Sequence, residues 1–492
     1  MPMKAARRPG PAAGRARPAV SQKIAVSVVY VAAIFLSTMD STIVNVTLPA
    51  IGRAFSVPTA SVGTVSISYL VALAVFIPVS GWLGDRFGGK RILLTAVMVF
   101  TAASALCGLA SNLGQLIAFR ILQGAGGGLL APVGMAMLLR IFRPEERVRA
   151  LSVLTIATGI APTAGPVVGG LLIARSSWRS VFYVNVPFGI CMLIFGLLFL
   201  RNEVQEEPGR FDVTGFALAA AGLGLAMYGV SVGPSQGWTT APVVASIVSG
   251  AVLLALLAAV ELRSAAPIIN VRLLTDRLFS SCSGLMAIVS VTFLGSLYTI
   301  SLYFQAARGF SALAAGLSIW PETFGVMNGS QLGSRVLYRR LGPRRQLIAG
   351  MAGTSLFTGL LATLGAHSPV WYGWLVMYLA GFSVGQVFVA TQAAAFATIS
   401  PAETGRAATM FNAGRRLGGA IGVAVATTTI VLVNAGPASS GGGHLSIAAC
   451  RAAFVVAAVI SLTGIRAAWS VRDRDAASTI PPRRRRKLVR SE

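Results

Sequence analysis

Apolar residues run along this chain in long unbroken stretches instead of alternating with polar ones. A helix needs about 20 such residues to cross a bilayer. Fourteen stretches meet that length, near 24–50, 61–83, 91–110, 114–140, 150–174, 180–200, 211–232, 242–262, 279–305, 311–333, 346–366, 370–396, 406–434 and 446–468. Transmembrane β-strands would alternate over about ten residues, so a β-barrel is excluded. The pattern predicts an all-α polytopic membrane protein.

Polar positions test that count. Short cytoplasmic loops collect Lys and Arg, and here 33 of the 41 basic residues fall in the tails and even-numbered loops, against five in odd-numbered loops. Both termini are therefore expected on the cytoplasmic side, with an even number of spans. The same distribution explains the net charge of +26. In a soluble chain such a surplus would suggest nucleic-acid binding, but no aromatic or groove-reading motif accompanies it. The run Arg483 to Lys487 reads instead as a tail held near anionic lipid.

Composition agrees, since 55% of the 492 residues are hydrophobic and only 11% charged. A soluble chain carries about 25% charged residues. The first apolar stretch is too long for a cleavable signal and contains Asp40. Cys107, Cys191, Cys282 and Cys450 lie singly in or beside different spans, and His367 and His444 in outer loops, so no metal or disulfide framework is indicated. Gly84 to Lys90 matches the start of a phosphate loop, yet Arg91 stands where Ser or Thr should bind magnesium. With no soluble stretch long enough for a nucleotide-binding domain, energy is expected from an ion gradient or from the substrate's own gradient. No cofactor is expected, and no enzyme, because no loop carries a paired-acid or metal cluster.

Ionisable groups inside a span cost about 2.5–3.5 kcal/mol on insertion scales. Among the 15 acids only Asp40 and Glu322 lie deep in spans, and among the bases only Arg120, Arg415 and Arg416. Asp40 and Arg120 lie at depths within about 6 Å of each other, so the two side chains can face one another. Proton carriage, recognition of a cationic substrate and a static ion pair are all open for Asp40 and Glu322. Arg120 acts only as a counter-charge or anion ligand, since arginine stays protonated. Arg415 and Arg416 lie about ten residues from the cytoplasmic end, where snorkelling, a gate contact or a substrate role are alternatives.

Small residues mark close packing. Gly165 and Gly169 in the fifth span give a small-xxx-small face, in a helix bent by Pro162 and Pro166. Such smooth faces also suit helices that rock. A weak repeat relates Gly88-Gly89-Lys90-Arg91 to Gly342-Pro343-Arg344-Arg345, and Arg149-Ala150 to Arg406-Ala407, at offsets near 255 residues. Two six-helix halves around two extra helices would give that offset. The expected division is a basic tail 1–23, a bundle 24–200, two linker helices with their loops over 201–278, a bundle 279–470 and a basic tail 471–492.

Four strings resemble the major facilitator superfamily in its fourteen-helix drug/proton antiporter branch. They are Asp40 to Pro49, Gly81 to Arg91, Arg120 to Gly124 and Gly159 to Gly170, joined by Trp178 to Pro187. The resemblance implies two six-helix bundles plus two central helices and proton-coupled export of small amphipathic compounds such as antibiotics. It implies proton or substrate coupling at Asp40, Arg120 and Glu322, and a cytoplasmic latch of Gly81, Asp85, Arg86, Gly88 and Arg91. Gly159, Gly165, Pro166 and Gly169 would shape the antiporter helix. Asn45, Gln123, Asn412, Arg415 and Arg416 are candidate cavity or gate residues. The second copy of the loop motif has Arg339 where the first has Asp85, so the latch is expected to be asymmetric. The expected setting is a bacterial inner membrane, as a monomer, with protons, lipid and a small molecule as partners. An importer or metabolite exporter on the same scaffold, and a membrane sensor without transport, are the alternatives.

Overall fold

The computed structural model describes residues 21–57, 62–202, 211–264, 269–310, 312–434 and 446–480. The outer parts of the two expected basic tails, and the side chain of Pro166, lie outside what is described. Among the described residues there are helices and no strands. That is what a long apolar chain must do in lipid, where every backbone N–H and C=O has to be satisfied within its own segment.

The first half comprises α1 (Gln22–Phe55), α2 (Thr64–Phe76), α3 (Ser80–Phe87), α4 (Gly89–Leu109), α5 (Leu113–Ile141), α6 (Pro144–Arg175) and α7 (Ser180–Phe199). Two further helices follow, α8 (Val213–Gln236) and α9 (Ala241–Glu261). The second half comprises α10 (Arg277–Leu302), α11 (Trp320–Leu332), α12 (Tyr338–Leu361), α13 (Val370–Ala395), α14 (Thr404–Asn434) and α15 (Ile447–Ser470). Among the described residues ten helices are each long and apolar enough to cross a membrane, or eleven when the bent pair α2–α3 is counted as one span. The remaining expected spans correspond to α6, α11 and α12.

Where the expected boundaries shift, the backbone gives the reason. The second span bends by 54° between α2 and α3, at Pro78, which has no N–H for the helical ladder. Its partner in the second half keeps a local π-helical turn, Gly333–Leu337, instead. Residues 338–341 continue the preceding span, and the eleventh span begins after the break at Gly342.

The two halves pack alike. In the first, α1 lies on α6, α2 on α5, and α4 on both α5 and α7; in the second, α10 lies on α14, α11 on α13, and α12 on both α13 and α15. The repeat reaches individual residues. Gly88 and Gly342 have φ of 89° and 80°, a left-handed turn that glycine adopts without the Cβ clash. Past each turn a polar residue from the end of the half caps the next helix. Asn202 Oδ1 accepts from Arg91 N at 3.3 Å, and Asp473 Oδ1 from Arg344 N at 2.8 Å.

The halves meet through α6 on α11 and through α14 on α3 and α5. The extra pair α8–α9 sits beside that seam, with α8 touching α2 and α14. Trp238, just beyond α8, donates to Thr428 Oγ1 at 2.7 Å. Leu197, Leu198, Val252 and Leu432 are exposed on the outer faces, where lipid tails would cover them.

Candidate functional site

Asp40 and Arg120 meet. The carboxylate accepts from Arg120 Nη1 at 2.6 Å, from Gln123 Nε2 at 2.9 Å and from Asn185 Nδ2 at 2.8 Å. Both members of the ion pair are fully buried. Helix spacing explains the assembly: Arg120 and Gln123 are three residues apart on α5 and so share a face. A wider shell fixes it. Arg120 Nε donates to the Val65 carbonyl at 3.3 Å, its guanidinium lies 4.1 Å from the centre of the Tyr69 ring, and Asn185 also reaches Ser104 Oγ at 3.1 Å. Tyr69 in turn contacts Ser37. Five spans of the first half thus converge on one carboxylate. Arg120 Nη2 and Asn185 Oδ1 remain without partners.

Glu322 occupies a different environment. It is 3% exposed, sits in the first turn of α11, forms no ion pair among the described residues, and its Oε2 has no hydrogen-bond partner. Gly381 of α13 packs directly on its backbone. Beside it, Thr323 Oγ1 donates to the Gly159 carbonyl of α6 at 3.3 Å, across the two halves.

Between the halves lies a cavity of about 640 Å³, within the range of small-molecule sites. It runs from Arg415 and Arg416 to Ser66, Ser235 and Val431 near the end of the bundle opposite the basic loops. Thr38, Ser41, Thr42 and Asn45 of α1 face it, with Asn45 Oδ1 accepting from Ser66 Oγ at 2.9 Å. Neither Asp40 nor Glu322 lines it. Asp40 belongs to the opposite face of α1, toward α4, α5 and α7. The expectation that these acids touch substrate therefore finds no support in the geometry.

The basic end is closed. Asp85 pairs with Arg140 Nη2 at 2.6 Å and sits against Gly405, in the first turn of α14. A Cβ at Gly81 would lie 2.9 Å from Thr409 Oγ1, and Ser80 and Thr409 exchange a hydrogen bond at 3.1 Å. The latch thus has partners other than those expected: Arg86 and Arg91 are exposed and form no ion pair among the described residues. Arg86 follows Asp85 on α3 but lies on its exposed face, and Arg91 lies beyond the turn at Gly88, while Arg140 on α5 points back toward Asp85. Arg339, at the matching place in the second half, is exposed as well. Arg147 adds a second cross-half contact, donating to the Phe396 carbonyl at 3.1 Å. Asn412 adds a third, with Nδ2 at 3.4 Å from Met135 Sδ.

The glycines of α6 divide their work between two faces. A Cβ at Gly165 would strike Thr42, and one at Gly169 would lie 2.9 Å from Ile43 Cγ1, so both allow α1 to pack close. Gly159 faces Val326 of α11 instead. Sequence reasoning did not single out Arg140, Arg147, Tyr69 or Asn185. For Asn185 a signal existed, as an amide within an apolar span directly before Val186-Pro187.

Residues 30–423 match the Major Facilitator Superfamily. The chain is 31% identical over 404 residues to the Multidrug resistance protein B homolog of Mycobacterium tuberculosis (strain ATCC 25618 / H37Rv), covering 81% of this chain and 74% of that protein. It is 30% identical over 394 residues to the Tetracenomycin C resistance and export protein of Streptomyces glaucescens, covering 80% and 73%. Among solved structures it resembles the human organic anion transporter MFSD10 (TETRAN), with a TM-score of 0.63 at 15% identity over 91% of this chain and all of that one. The proton:xylose symporter XylE gives a TM-score of 0.62 at 14% identity, over 93% and 98%.

Proposed function

The chain belongs to the Major Facilitator Superfamily, and on that premise we propose that it is a proton-coupled antiporter exporting small amphipathic compounds across a bacterial inner membrane. Relatives at about 30% identity named for multidrug resistance and antibiotic export support the direction of transport. The bias of Lys and Arg supports a cytoplasmic basic end with both termini. In that frame the cavity opens outward and the latch of Asp85, Arg140 and Gly405 closes the cytoplasmic side. Alternating access then requires that latch to part and the outer mouth to close, by rocking of the two similar halves.

The observation that carries proton coupling is the sealed Asp40 network. The carboxylate accepts hydrogen bonds from a guanidinium and two amide donors. Protonating it removes the partner of a buried arginine, and breaking such a pair costs about 3–5 kcal/mol. The first half must therefore repack when the proton arrives, which links proton occupancy to helix position. Arg120 supplies the counter-charge, while Gln123 and Asn185 hold the carboxylate in place. Glu322, enclosed without a cation, is the second carboxyl in this scheme.

The test is transport by purified chain in proteoliposomes with an imposed pH gradient. Uptake of the amphipathic anion 8-anilinonaphthalene-1-sulfonate into vesicles holding the acidic side inside, abolished by an ionophore that collapses the gradient, is the expected result. Accumulation that ignores the gradient would overturn proton coupling, and none at all would overturn export of this kind of compound.

A further inference from the structure

The floor of the cavity holds two cations and no acid. Arg415 and Arg416 are adjacent on α14, both line the cavity, and no Asp or Glu does. Neither forms an ion pair among the described residues. Arg415 has one weak contact, Nη2 to Asn412 Oδ1 at 3.5 Å, and Arg416 Nε is buried with no partner. Each such charge is costly in a membrane span, and two neighbours of like sign repel as well. Arg415 lies eleven residues into a helix that starts at Thr404, about 16 Å from that end at 1.5 Å per residue. Snorkelling to the basic end does not account for side chains that open onto the cavity instead.

We propose that Arg415 and Arg416 form a subsite for the negative charge of a drug-sized organic acid. Two guanidinium forks at consecutive helix positions are offset by about 100° around the axis. They flank the cavity floor, Arg415 toward Tyr30 and Gln392, Arg416 toward Ala74 and Met227. A carboxylate between them gains charge-assisted, in-plane hydrogen bonds that a single lysine point charge would not give. Phe293, Leu294 and Leu70 on the walls then cover the apolar body. The proposal rests on reading this cavity as the substrate's path, and it names the charge of that substrate.

The experiment measures equilibrium binding to the detergent-solubilised full chain of three probes with one apolar body: pyrenebutyrate, its methyl ester and pyrenebutylamine. The acid is expected to bind about tenfold tighter than the ester, and the amine weakest. Arg415→Gln with Arg416→Gln should bring the acid to the level of the ester while changing ester binding less than about twofold, and the double Lys variant should retain only part of the acid preference. The ester also reports that the variant is folded; should the double Gln variant fail to fold, Arg416→Gln alone replaces it. Equal affinity for acid and ester in the unmodified chain, or parallel loss of all three probes in the variant, would overturn the subsite. Displacement of the acid by phosphatidylglycerol at comparable concentration would assign the same chemistry to a lipid headgroup and overturn the organic-acid reading. Binding needs no gradient, so an acid held by the arginines but never moved in proteoliposomes would sink the transport reading and leave the subsite standing.

Discussion

Two carboxyl groups sit deep in two halves of the same architecture, and their surroundings are opposites. Asp40 is surrounded by a guanidinium and two amides, each within 2.9 Å. Glu322 has an oxygen that meets no donor and no cation beside it. The helix packing repeats between halves, but the chemistry does not: the first half holds its buried acid in an ion pair, and the second holds its acid with no ion pair among the described residues. Burial alone therefore does not define a role here. What each acid can do depends on who shares its pocket, and the two predict different responses to the same change.

The largest contrast comes from removing charge at each place. Asp40→Asn or Arg120→Gln leaves its partner buried and unpaired, with an expected loss of about 3–5 kcal/mol in stability and of gradient-driven transport to background. The double variant Asp40→Asn with Arg120→Gln should recover much of the stability but none of the coupling, read by thermal unfolding in detergent and by uptake under an imposed pH gradient. Coupling retained in the double variant would remove this network from the mechanism. Glu322→Gln should behave differently, with a loss of no more than about 1 kcal/mol, because no buried cation is left without a partner when the carboxyl goes. Its effect on transport should be the same for charged and neutral compounds, since Glu322 does not line the cavity. A loss confined to cationic compounds would mean that the side chain reaches substrate after all.

Much of this arrangement is legible in the amino-acid sequence, for physical reasons that also say where legibility stops. Length and continuity of apolar runs fix the spans, and the Lys and Arg asymmetry fixes their parity, because both follow from transfer into lipid. The similar depth of Asp40 and Arg120 follows from rise per residue alone. What a helix shows to its neighbour is harder to read. Thr38, Ser41 and Asn45 face the cavity while Asp40, two residues from Thr38, faces inward, and only the packing of α1 on α5 decides that. The latch is misread for a similar reason. Arg86 follows Asp85 on α3 but points about 100° further round the axis, the left-handed turn at Gly88 separates Arg91 from it, and Arg140, 55 residues distant, arrives instead.

The closed end offers the next comparison, between the first copy of the loop motif and the second. Asp85→Asn removes the negative charge that faces the first turn of α14 at Gly405, an interaction of about 0.3–1 kcal/mol, which should shift the balance toward the state open at the basic end by about twofold to fivefold. Arg140→Gln should reproduce that shift, whereas Arg86→Gln and Arg339→Gln should leave it unchanged. Distances between spin labels placed on α3 and α14 at that end report the shift directly. Equal effects at Arg86 and Arg140 would break the assignment of the partner. Gly81→Leu should act in the same direction, because the added side chain meets Thr409 and Gly405.

The smallest effect separates two neighbours, Glu146 and Arg147. Glu146 pairs with Lys23 at 2.5 Å, and both side chains are more than a third exposed. That contact joins α6 to α1 within one half. Arg147 reaches Phe396 in the other half. Lys23→Gln should therefore cost no more than about 0.5 kcal/mol and leave transport unchanged, whereas Arg147→Gln should loosen the closed end. The Lys23 ammonium, with the Arg143 backbone N–H, holds the Glu146 carboxyl below its ordinary value of 4.5. A lowered carboxylate contributes stability that is fully present above the unfolded value and is lost as the pH falls through the folded one. The small gap between the unmodified chain and Lys23→Gln should thus be constant near neutral pH, narrow in acid below that range, and shrink in high salt. A gap that resists salt, or a change in transport, would show that Lys23 helps to hold the two halves together.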